Sequence, residues 1–185
     1  FSAKKMHECT IPDGEKQHTL IKGERDKEYI LAIDPSFSNS PSSDFFAMSV
    51  LELDQENSNS STLVHAYAVA GGDLKDHIKY LHYLVTHFNF LMIIIDNAGY
   101  QFIDSANESE LFQSTRTKIN FFDFNSDKQG ADYEKMLLGA KRQYNKKENV
   151  ICFKQLFSTT FLREANEYLQ ASIDHKRIWF ASRTA

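Results

Sequence analysis

A layered α/β domain is the fold class this sequence predicts, and three observations predict it. Two short apolar runs rich in β-branched and aromatic residues, 29–33 and 90–95, read as strands buried on both faces. Between them Leu74, Ile78, Leu81, Val85 and Phe88 recur at helical spacing, one apolar stripe to set against a sheet. The composition of 42% hydrophobic, 13% aromatic and 25% charged residues over 185 positions suits one core and argues against disorder.

The elements follow in order. Residues 1–27 are polar and aperiodic, with Pro12 and Gly14, and read as a linker or arm from an upstream domain, leaving 28–185 as the folded domain. The run 29–33 ends at Asp34 and Pro35, where a strand closes because Pro cannot donate to the ladder. Beyond a Ser-rich loop, 45–53 and 63–70 are strands joined by the polar stretch 55–61, which makes an antiparallel meander of three. Gly71 and Gly72 break the third strand, and Asp73 stands at an N-cap position before the helix. The strand 90–95 stops at Asp96, Asn97, Ala98 and Gly99. Residues 100–117 show no clear pattern beyond a short helix around 108–114. A strand at 119–124, a helix over 132–147, a strand at 150–153, a helix from 158 or 159 to about 173 and a strand at 177–181 complete the series. The later strands are expected to add in parallel.

Several chemistries are excluded. The longest apolar run is far short of the ~20 residues a membrane span needs, and the opening segment from Phe1, with Lys4, Lys5, His7 and Glu8, does not resemble a signal peptide. Cys9 and Cys152 lack CxxC spacing, so neither a disulfide framework nor a thiolate zinc site is supported, and a reducing, intracellular setting is expected. There is no GxxxxGK phosphate loop, no GxGxxG after a strand and no GxSxG elbow. Cys152, between Ile151 and Phe153, reads as a buried inert thiol, and His65 as a core or edge histidine.

What remains is acidic. In open α/β sheets the active site lies beyond the carboxyl ends of the central strands, and Asp34 and Asp96 both hold that position. An Asp at a strand end before Pro or Asn also reads as a turn residue bonding its own backbone, and the pattern leaves both readings open. If the two strands are parallel neighbours, the carboxylates repel, and a divalent cation removes the conflict. All-oxygen donors favour Mg2+ or Mn2+, and two such ions suit phosphodiester hydrolysis. Asp44 is a weaker third candidate, reaching back across the Ser-rich loop. The net charge of −4 conceals an asymmetry, −9 over residues 1–127 and +5 over 128–185. A basic last part suits phosphate binding through Lys135, Lys141 and Arg142, although such charge is also what a solvated helix face carries.

The segments YILAIDPSFSNSPSSDFFAMSVLEL, LVHAYAVAGGDLKDHIKYLHYL and LMIIIDNAGYQF, in that order, resemble the nuclease domain of the large terminase subunit of tailed phages and herpesviruses. The likeness spans roughly residues 29–181. It implies a ribonuclease H-like mixed sheet, three antiparallel strands plus parallel ones, flanked by helices. It also implies a Mg2+- or Mn2+-dependent DNA endonuclease that uses two ions to cut concatemeric viral genomes. Asp34 matches the first-strand ligand, Asp96 the second catalytic acid and Asp44 a nearby acidic position. The implied partners are double-stranded DNA, an upstream ATPase motor domain, the portal protein and the small terminase subunit, in the cytoplasm of an infected or lysogenic host and without a membrane. Two departures stand out. Many members have Glu at the position of Asp96, and no acidic pair on a late helix supplies the third ligand. Asp132 and Asp174 are poor substitutes, so truncation at the C-terminus is expected, with that ligand beyond residue 185. A junction resolvase of the same fold, or a non-catalytic adaptor for nucleic acid or portal protein, is the alternative.

Overall fold

In the computed structural model, residues 2–11, 19–37, 44–57, 60–123, 150–155 and 158–181 are described. The run after Glu28 forms β1 (Tyr29–Asp34), paired antiparallel with β2 (Phe45–Leu53), which pairs antiparallel with β3 (Ser61–Ala70). This is the expected meander. A helix, α2 (Leu74–His87), returns the chain to β4 (Phe90–Asp96), which lies parallel to β1 on its other side. Beyond β4 come β6 (Val150–Gln155) and then β5 (Ile119–Asp123), both parallel to it, while β7 (Ile178–Phe180) lies parallel to β3 at the opposite margin. Among the described residues the sheet therefore has seven strands in the order β5-β6-β4-β1-β2-β3-β7. It is a mixed α/β sheet flanked by helices, in the arrangement of the ribonuclease H-like fold.

One sheet face makes the core. Leu31, Ile33, Phe46, Met48, Val50, Ile93 and Ile95 are buried there with Ile78, Leu81, Val85 and Phe88 of the stripe predicted from spacing; Leu84 joins them, whereas Leu74, the first residue of that stripe, is exposed. Each such side chain taken fully from water contributes about 1.5–3 kcal/mol. The expectation that β1 is buried on both faces holds for one face only. Tyr29, Leu31 and Ile33 are buried while Ile30 and Ala32 are half-buried.

Asp73 caps α2 as expected, its Oδ1 accepting from the Lys75 amide at 3.0 Å. Asp73→Ala should cost about 1 kcal/mol, a shift to be read in the urea unfolding midpoint.

In the stretch 100–117 the short helix expected around 108–114 is present, and a further helix, not expected, precedes it. A 3-10 turn (Asn97–Gly99) runs into α3 (Tyr100–Glu108), and Ser109 caps α4 (Glu110–Ser114), accepting from the Phe112 amide at 3.4 Å. Nine- and five-residue helices are too short to show a repeat, yet Phe102, Ile103, Ala106 and Phe112 are buried. The helix expected over 132–147 lies outside the described residues.

The segment read as an arm is tied to the domain at each described part. After α1 (Ala3–Glu8), Cys9 and Ile11 are buried, and their backbones exchange bonds with Phe180 of β7 at 2.9 Å. Leu20 bonds Val64 in β3 at 2.7 Å, and the Gly23 amide bonds the His87 carbonyl at 3.0 Å. Isolated apolar residues in a polar stretch leave no periodicity to read. The last described helix, α5 (Thr159–Asp174), precedes β7. Among the described residues no helix is long and apolar enough to cross a membrane.

Candidate functional site

Parallel pairing of β1 with β4 matches Ile33 to Ile95, so the next residues, Asp34 and Asp96, stand level at the carboxyl edge of two adjacent strands. Alternation along each strand puts Ile33 and Ile95 on the core face and Asp34 and Asp96 together on the other. β2 runs the opposite way, with Ala47 opposite Asp34, so Asp44, just before the strand, comes to the same edge. Two acids ten residues apart and a third some fifty residues further on thus share one rim.

Their proximity has an electrostatic signature. The Asp34 carboxyl is raised above the ordinary carboxylate range, first because surrounding protein removes part of its water, then through the negative charges of Asp96 and Asp44. Asp34 remains open to solvent, so this is a crowded surface acid rather than a buried one. Among the described residues the ion pairs are Lys5–Asp174, Lys27–Glu52 and Lys79–Asp76, none of which neutralises Asp34 or Asp96.

The donor set suits a hard divalent ion: carboxylate oxygens, like charges and open access. Among the described residues no group of three or more His, Cys, Asp or Glu side chains could hold a metal ion. Mg2+ is commonly held by one or two carboxylates and completed by water and substrate phosphates, which is the chemistry Asp34 and Asp96 offer. Of the two late substitutes, Asp174 on α5 is engaged by Lys5 at 2.5 Å and by Gln170 at 2.9 Å, and Asp132 lies outside the described residues.

Two residues at this end of the sheet escaped the sequence reading, one of them on the face opposite the acidic pair. Gly99 packs where an added Cβ would lie 2.4 Å from Pro35 Cγ and 2.9 Å from Ile95 Cδ1, so it fits the turn after Asp96 against the turn after Asp34. A Gly in a loop does not show whether it serves a turn or a close approach. Lys154, on β6 level with Ile95, holds its ammonium 4.9 Å from the Tyr100 ring centroid and 4.3 Å from that of Phe121. Its partners lie 54 and 33 residues away in the chain, and no local pattern links them. Lys135, Lys141 and Arg142 lie outside the described residues.

The discounted residues have structural work. Burial pushes the Cys152 thiol up to about 12, which keeps it protonated and unreactive. His65 spends both ring nitrogens on the Leu20 carbonyl at 2.6 Å and the Tyr80 hydroxyl at 2.7 Å.

No protein-family model matches the chain, and no curated protein does. Among solved structures, the chain is similar to the large terminase nuclease from thermophilic phage G20c, with 12% identity and a TM-score of 0.47. The match covers 86% of this chain and 61% of that one, so this chain spans about three fifths of its length.

Proposed function

We propose that the chain is a divalent-metal-dependent nuclease domain that hydrolyses DNA phosphodiesters, as part of a viral or prophage terminase large subunit. One observation carries the reading: Asp34 and Asp96 end adjacent parallel strands on the same face, with Asp34 raised first by loss of water and then by the charges of Asp96 and Asp44. Asp34 and Asp96 would hold the ions, two of them in this reading, with Asp44 assisting. When bound, such ions supply an activated water and charge stabilisation at the leaving oxygen. The protein's part is to fix the carboxylates on two hydrogen-bonded strands, so that little ordering is left for the moment of reaction. Cutting of concatemeric genomes, with an ATPase motor, portal protein and small subunit as partners, extends the same reading.

Ion binding is separable from cleavage. Millimolar Mg2+ or Mn2+ should raise the melting temperature of the wild-type protein by a few degrees, because a ligand that binds only the folded chain stabilises it. Asp34→Asn should erase that rise. A wild-type melt indifferent to both ions would remove the metal site, leaving a non-catalytic adaptor as the better reading.

A further inference from the structure

On the core side of the same sheet edge lies an open cleft of about 560 Å³, whose lining includes Ser36, Phe37, Gly72, Asp73, Leu74 and His77. Ser36 and Phe37 lie just past Asp34, so the cleft adjoins the acidic rim. Its chemistry differs from that rim. Two exposed apolar side chains, Phe37 at 52% and Leu74 at 37% exposure, contribute to its walls. His77 lies deep in it at 3% exposure, stacked on Phe46 with ring centroids 4.1 Å apart. Nδ1 of His77 is engaged by the Tyr67 hydroxyl at 2.9 Å; the Gly71 backbone lies close enough to the ring to interact with it, but Nε2 has no hydrogen bond of ordinary geometry among the described residues. Gly72, at φ +111°, has no side chain to fill the space beside that nitrogen. A Cβ there would sit 3.1 Å from Nε2, with His77 Cε1 at 3.2 Å and Val69 Cγ1 at 3.7 Å the next nearest atoms. A buried ring nitrogen without a partner is costly, and a ligand atom at hydrogen-bond distance would satisfy it.

The lining selects the ligand. No Lys or Arg is among the described lining residues, and the Asp73 carboxylate repels anions, so the cleft does not suit a phosphate. It suits a flat, uncharged group with an apolar face and a polar edge bearing N–H donors. We propose that the cleft receives one unpaired nucleobase of the DNA acted on at Asp34 and Asp96, its face on the Phe37 ring and its edge toward Ser36, Asp73 and His77. The substrate in this proposal rests on the nuclease reading above, whereas the shape and charge of the cleft do not. An extruded or single-stranded base stacks on an aromatic side chain without regard to sequence, so the cleft favours DNA that is locally opened beside the cut.

The test uses DNA carrying 2-aminopurine, either unpaired at an overhang or paired within a blunt duplex, with EDTA present so that nothing is cut. Binding of the overhang DNA should change the 2-aminopurine fluorescence, and Phe37→Ala should weaken that binding about ten-fold. Affinity for the blunt duplex should stay the same. Phe37 is exposed, so the variant is expected to fold, and its melting temperature checks this. Equal affinity of the variant and wild type for overhang DNA, equal loss on both DNAs, or no binding of either DNA would overturn the cleft assignment. Phe37-dependent capture in a protein that never cuts DNA with Mn2+ would keep the base site and remove the nuclease reading. Cutting with Mn2+ but no Phe37 dependence would do the reverse.

Discussion

Asp34→Asn is expected to lower Mn2+-dependent plasmid cleavage by at least about a hundred-fold, because metal-ion stabilisation of a phosphoryl transition state is worth several kcal/mol. The amide keeps the size of the side chain and removes the charge, so a loss reports on ligation rather than packing. Asp96→Asn should match it. The same Asp34 substitution is expected to stabilise the metal-free protein. A carboxyl whose folded pKa lies above its unfolded value favours folding while protonated and loses that contribution as pH rises through the folded pKa. Asp34 is of this kind, through removal of water and then the charges of Asp96 and Asp44. At neutral pH its charge therefore opposes folding, by less than about 1 kcal/mol once solvent screening is allowed for. Melting curves without metal should show Asp34→Asn slightly above wild type at pH 7, with the gap closing in acid. If Asp34→Asn cuts as well as wild type, this pair is not the catalytic site.

Gly99→Ala is expected to damage both stability and cleavage although it adds one methyl group. That methyl would stand 2.4 Å from Pro35 Cγ and 2.9 Å from both Ile95 Cδ1 and Cγ1. Pro35 is a rigid ring directly after Asp34, and Ile95 is buried directly before Asp96. Relief must therefore come from moving one of the two turns that aim the carboxylates. Overpacking of this kind costs about 1–3 kcal/mol, and a displacement near 1 Å at a reacting site can cost about a hundred-fold in rate. Urea unfolding and plasmid cleavage measured on the same preparation check both halves. A variant with unchanged midpoint and unchanged rate would show that the two turns are not coupled through Gly99.

Much of the frame is legible in the residues. The meander, the apolar stripe of α2 and the Asp73 cap all follow from periodicity and capping chemistry, which are local. Within the stretch after Gly99, α4 falls inside the short helix expected around 108–114, but α3 is not legible, because a nine-residue helix draws its stability from buried Phe102, Ile103 and Ala106 rather than from a repeat. The segment before residue 28 was equally opaque. Its burial of Cys9 and Ile11 depends on Phe180 and Ile173, more than 160 residues away.

The residues by themselves determine that two strongly apolar strands each end in Asp, and that oxygen donors rather than thiols or phosphate-loop glycines are on offer there. Only the tertiary structure decides that the strands are parallel neighbours in matched register. Only it decides that both carboxylates take the same face with Asp44 beside them, and that Gly99 fits one turn against the other. Register and facing are set by hydrogen bonds and side-chain packing between segments some sixty residues apart, and slipping a strand by one residue would put either Asp on the opposite face.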